Sequence, residues 1–168
     1  MLAVVAVSGI IAIALLVTQL IRFGHAGGEQ ASVWFYDPST QRLYGAPRDT
    51  IPPDRSSGRR GSEGVRAIVV CFRGEQNDPQ KRRIAYLETN TPELKNVLER
   101  VRAARASGHP SRELVPTRDS DFVRTNTLVK RLADEHWVAA STPEGKQIMS
   151  EWRSWRGPAG QAPIVCVP

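Results

Sequence analysis

Few residues in this chain have the types and spacing that chemistry needs. Histidine occurs three times, at His25, His109 and His136, and cysteine twice, at Cys71 and Cys166. A zinc site needs His, Cys or carboxylate ligands at short recurrent spacings. None of the three histidines has a second ligand so placed, so no metal and no other cofactor is expected. Cys71 and His136 have the residue types of a nucleophile and its base. Cys71, however, stands inside the apolar run VRAIVVCFR at 65–73, where a buried thiol is usually inert. The segment GRRGSEG at 58–64 has glycines but lacks the lysine and hydroxyl of a phosphate-cradling loop, and no helix follows it. No catalytic residue is assigned, and a non-enzymatic protein is expected.

Two other chemistries remain. A pair of cysteines in a short domain can form one disulfide in an oxidising compartment, which makes Cys71 and Cys166 a candidate bond. The stretch RDTIPPDRSSGRRGSEG at 48–64 carries Arg48, Arg55, Arg59 and Arg60. These four form the best cation cluster of the chain. They read either as a solvated loop or as contacts for an anionic partner, an acidic lipid or polymer that would order the loop. No aromatic lies among them to stack bases, so nucleic acid is not an expected partner. Setting Arg22 aside leaves 22 Lys and Arg against 17 Asp and Glu, a net charge of +5 for the rest of the chain.

The elements that position these residues begin with an apolar rod. Leu2 to Ile21 is a run of twenty residues without a charge, which as a helix would span about 30 Å, the thickness of a hydrocarbon core. The run is longer than the apolar core of a secretory signal, and no basic residue precedes it. Residues 1–22 are therefore predicted to be a retained single-pass membrane anchor in contact with lipid. Ser8 and Ala12 give that anchor a small-residue face for helix packing. Residues 23–31 form a glycine-bearing neck, and 32–168 a soluble domain held close to the bilayer. Arg22 favours a cytoplasmic domain by the positive-inside rule. The cysteine pair favours the opposite side, and an extracytoplasmic domain is the expectation.

Within that domain the pattern is α+β: a small antiparallel sheet with two or three helices. VWFYDPSTQRLYGAP at 33–47 reads as a hairpin. Its Asp37-Pro38-Ser39-Thr40 turn uses Pro to preset φ and Asp to bond the backbone two residues on. Val65–Arg73 reads as a buried central strand, and RRIAYLET at 82–89 as its antiparallel neighbour. TPELKNVLERVR from Thr91 and TPEGKQIMSEWR from Thr142 share one helix-opening pattern. Thr caps the first amides, Pro suits the first position, and Glu suits the positive end of the dipole. Leu94, Val97, Leu98 and Val101 form an apolar stripe at helical spacing. Gly145 weakens the second helix. Periodicity leaves TNTLVKRLADE at 125–135 open between helix and strand. The tail QAPIVCVP reads as an edge strand limited by its prolines.

Five of these stretches also carry a resemblance: Y-D-x-x-T-x-x-L-Y (Tyr36 to Tyr44), I-P-P (51–53), G-V-R-A (64–67), Y-L-E-x-x-T-P-E (86–93) and W-V-A-A-S-x-x-E-G-x-x-I (137–148). Together they resemble an uncharacterised family of small bacterial single-pass membrane proteins. The resemblance implies an architecture and no activity. LAVVAVSGIIAIALL resembles the N-terminal helix of type IV pilins and pseudopilins, which precedes a small α+β head. Val5 stands where mature pilins carry a glutamate, a departure that counts against filament assembly. The expected function is that of a membrane-anchored interaction or assembly subunit, with protein partners in a larger membrane or envelope complex. A pseudopilin-like filament component and an acidic lipid- or polymer-binding module are the alternatives.

Overall fold

A computed structural model describes residues 31–55, 63–108, 116 and 120–168. The predicted anchor, with Ser8 and Ala12, and all of the neck but Ala31 lie outside the described residues. Among the described residues no helix is long and apolar enough to cross a membrane.

The domain is an antiparallel sheet with three α-helices, the α+β class expected. Its strands are β1 (Ser32–Asp37), β2 (Arg42–Pro47), β3 (Val65–Cys71), β4 (Arg83–Asn90), β5 (Thr127–Lys130), β6 (Val138–Ala139) and β7 (Ile164–Val165). Their order across the sheet is β2-β1-β3-β4-β5-β6, with β7 paired to β3 off that path. The helices are α1 (Pro92–Ala106), α2 (Asp121–Asn126) and α3 (Pro143–Glu151).

Local chemistry explains each start. In the β1–β2 hairpin, Asp37 Oδ1 accepts from Ser39 N at 2.8 Å and from the Ser39 hydroxyl at 2.7 Å. That closes the turn and leaves Phe35 opposite Tyr44, with ring centroids 5.8 Å apart. Phe35 is fully buried, so this pair anchors the hairpin rather than decorating it. Thr91 caps α1 by accepting from Leu94 N, and Thr142 caps α3 by accepting from Gly145 N at 3.0 Å. After α1 the chain leaves through Gly108 at φ +73°, a left-handed conformation that suits glycine.

β3 is central, and its alternate residues feed two cores. Val65, Ala67, Val69 and Cys71 cluster with Leu87 and Cys166 on one face. Val70 joins Ala85, Tyr86, Val129, Ala140 and Ile148 on the other. The two-residue period of a strand would send Ala85 and Tyr86 to opposite faces. A register shift in the β3–β4 ladder, between Ile68 and Val69, lets both enter the same core. The segment left open by periodicity divides: α2 ends at Asn126 and β5 begins at Thr127. The stretch HWVAAS at 136–141 contributes only the two-residue β6.

Gly145 has a different role from the one its helix propensity suggests. It is buried, and a Cβ there would overlap the Ala139 carbonyl. Glycine is what lets α3 lie directly on the end of β6. The far end of α3 is tied down by Arg131, which donates to both Glu151 oxygens at 2.6 and 2.7 Å and to Asp134 at 3.3 Å. The Glu151 hydrogen bonds raise the guanidinium pKa further above its ordinary value, so Arg131 stays charged at any accessible pH.

Candidate functional site

The helical face of the sheet does not close completely. Between β4, the 48–52 segment and the three helices lies a cleft of about 550 Å³, open to solvent, a size typical of ligand sites. One wall is apolar, with Leu94 and Leu98 from α1, Val123 from α2 and Met149 from α3. Tyr86, Glu88 and Asn90 of β4 and Arg66 of β3 also line it.

Each polar group on that floor is held by the fold. Arg66 pairs with its cross-strand neighbour Glu88 at 3.7 Å and donates to the Arg48 carbonyl at 3.2 Å. Asn90 donates through Nδ2 to the Pro52 carbonyl at 2.9 Å, and Lys95 donates to the Pro53 carbonyl at 2.6 Å. These bonds fix the 48–53 segment as the cleft's rim. Asp49, also on the rim, is paired with Arg102 at 3.3 Å.

Three cations of the cleft are not so held. The side chains of Arg48, Arg124 and Lys146 line it, and none has a hydrogen-bond or ion-pair partner among the described residues. Arg124 is half-buried, whereas Arg48 and Lys146 are exposed. A neighbouring cavity between the same rim and α1 makes the contrast. Its cations are all engaged: Lys95 with Glu99 and Pro53, Arg102 with Asp49, and Arg55 with Glu63. An unpaired guanidinium that has lost part of its water is electrostatically unfinished. The first cleft therefore combines an apolar wall with positive charge that no described residue pairs.

The residues singled out from the sequence are dispersed by the fold. Arg48 is in the cleft. Arg55 pairs with Glu63 at 2.6 Å, on the opposite side of the rim. Arg59 and Arg60 lie outside the described residues. Cys71 and Cys166 are bonded, with Cα atoms 6.1 Å apart, a normal separation for a disulfide. The bond lies in the core on the sheet face opposite the cleft, so the Cys71 sulfur is no nucleophile for His136, which is exposed in the β5–β6 connection. His25 and His109 are outside the described residues. Among the described residues no three His, Cys, Asp or Glu side chains are grouped to hold a metal ion. Arg124 and Lys146 were not singled out. They sit in unremarkable helical sequence and reach the same cleft only through the packing of α2 and α3.

Comparison with known proteins adds nothing to this geometry: no protein-family model, no curated protein and no solved structure matches the chain.

Proposed function

We propose that this protein is a membrane-anchored, non-enzymatic binding subunit, an interaction or assembly component of a larger membrane or envelope complex. The observation that carries the reading is the cleft: an apolar wall beside three cations that have no partner among the described residues. Such a surface suits a ligand with both apolar and anionic groups. The apolar run at 2–21 supplies the anchor. The Cys71–Cys166 bond supports a domain on the extracytoplasmic side, since structural disulfides persist in oxidising compartments.

Solubilisation of the native protein in mild detergent, followed by size separation, tests the reading. Migration with at least one further protein is the expected outcome; a monodisperse species of this chain alone would refute it. Thiol labelling with and without reductant tests the location. Labelling only after reduction is expected, and free thiols in the native protein would place the domain in a reducing compartment.

A further inference from the structure

We infer that the cleft takes an acidic, leucine-bearing polypeptide segment of a partner protein, with carboxylates meeting Arg124, Lys146 and Arg48 and apolar side chains meeting the α1–α2–α3 wall. The inference rests on the binding-subunit reading and assigns the partner's chemistry.

Charge complementarity carries it. Among the described residues the cleft is lined by two acids, Asp49 and Glu88, each paired within the domain, to Arg102 and Arg66. Among the described residues, what remains unpaired in charge is cationic, beside an apolar wall and the neutral polar groups of Thr50, Tyr86, Asn90 and Thr127. The three unpartnered cations come from three elements: Arg48 from the turn after β2, Arg124 from α2 and Lys146 from α3. Cations on separate elements around an apolar wall suit a ligand whose charges are also separated by apolar groups. A single compact anion would leave the apolar wall empty. An acidic segment with interspersed leucines offers both features on one strand of chain. Arg124 has the largest part in this scheme, because a half-buried guanidinium gains most from a charge-assisted bond.

The test uses the full chain in a nonionic detergent and a fluorescein-labelled peptide of glutamate with interspersed leucine, read by anisotropy. Saturable binding that weakens steeply with salt is expected. Arg124→Glu and Lys146→Glu should each weaken it at least about tenfold, the scale of one charged hydrogen bond. Arg124→Gln should give a smaller loss, and its milder change guards against misfolding of the charge-reversed variants. Arg73→Glu, in the turn after β3 and outside the cleft, should leave binding unchanged. The inference falls if the peptide does not bind, or if Arg124→Glu binds as tightly as the wild type. It falls equally if free glutarate competes as well as the peptide, or if binding is confined to phosphatidylglycerol vesicles. The two readings separate in the native extract: a complex that survives Arg124→Glu with Lys146→Glu keeps the subunit reading and removes the cleft from it.

Discussion

Two helices of this domain open on the same three residues and then meet the sheet differently. α1 runs for 15 residues and buries Leu94 and Val101, while α3 runs for 9 and buries Gly145 and Ile148. The third helical position, where the cap hydroxyl meets its amide, holds Leu94 in one and Gly145 in the other. Leu94 fills space between α1 and the sheet and forms part of the cleft wall. Gly145 yields its space to the Ala139 carbonyl. Thr-Pro-Glu thus decides where a helix begins, and the residue after it decides how closely that helix approaches its strand. The cleft follows from this asymmetry, with one helix seated directly on the sheet edge and the other held off by a leucine.

Opposite substitutions at that shared position should break the comparison most. Leu94→Ala removes a side chain that is 1% exposed and should cost about 2–5 kcal/mol, the range for cavity-forming changes. Urea denaturation checks it. Gly145→Ala forces a methyl group into backbone atoms that cannot swing away. Overpacking of about 1–3 kcal/mol should outweigh the ~1 kcal/mol that alanine returns in helix propensity. A variant more stable than the wild type would show that α3 shifts freely on β6.

The caps sharpen the comparison on a smaller scale. Thr142 accepts from Gly145 N at 3.0 Å and donates to the Ala139 carbonyl at 2.8 Å. Thr91 makes a longer cap bond, 3.4 Å, and donates to Asn126 Oδ1 at 2.8 Å. Alanine at either position should cost about 0.5–2 kcal/mol, with Thr142→Ala the more damaging. Thermal midpoints of the two variants decide the order.

The smallest effect concerns acid. Glu93, in the first turn of α1, is held below the ordinary carboxylate range by its backbone hydrogen bond and by Thr91. A carboxylate whose folded-state pKa is depressed contributes stability above its ordinary pKa and loses it as pH falls through the lowered value. Glu93→Gln should therefore be slightly less stable near neutrality and lose less on acidification. Melting curves between neutral pH and pH ~3 would reveal this.

Much of the fold was legible because its cues are local. Asp37-Pro38 specifies a turn by its own side chain, Thr91 and Thr142 cap the helices they precede, and the β-branched run at 65–71 has no polar face to expose. What could not be read depends on contacts distant in sequence. The register shift beside Ala85 has no turn residue to announce it. β5 is a strand because β4 and β6 flank it, although LVKRL has no preference of its own. Gly145 looked like a weak point, since helix propensity does not register a carbonyl arriving from another element. The site was least legible of all. The cation cluster visible in the sequence, Arg48 to Arg60, is split by the fold, with Arg48 in the cleft and Arg55 tied to Glu63. Arg124 and Lys146 are functional candidates only by virtue of where α2 and α3 pack.

The bond between Cys71 and Cys166 joins residues 95 apart in sequence, and it changes how the domain would bear a mechanical load. Tension applied to the last residues passes through the sulfurs straight into the central strand. The chain from Phe72 to Val165, which carries the three helices of the cleft wall, is bypassed while the bond is intact, but the 48–52 rim and Arg66 are not. A load at that end would therefore reach the rim and β3 floor of the cleft before it reached the helices.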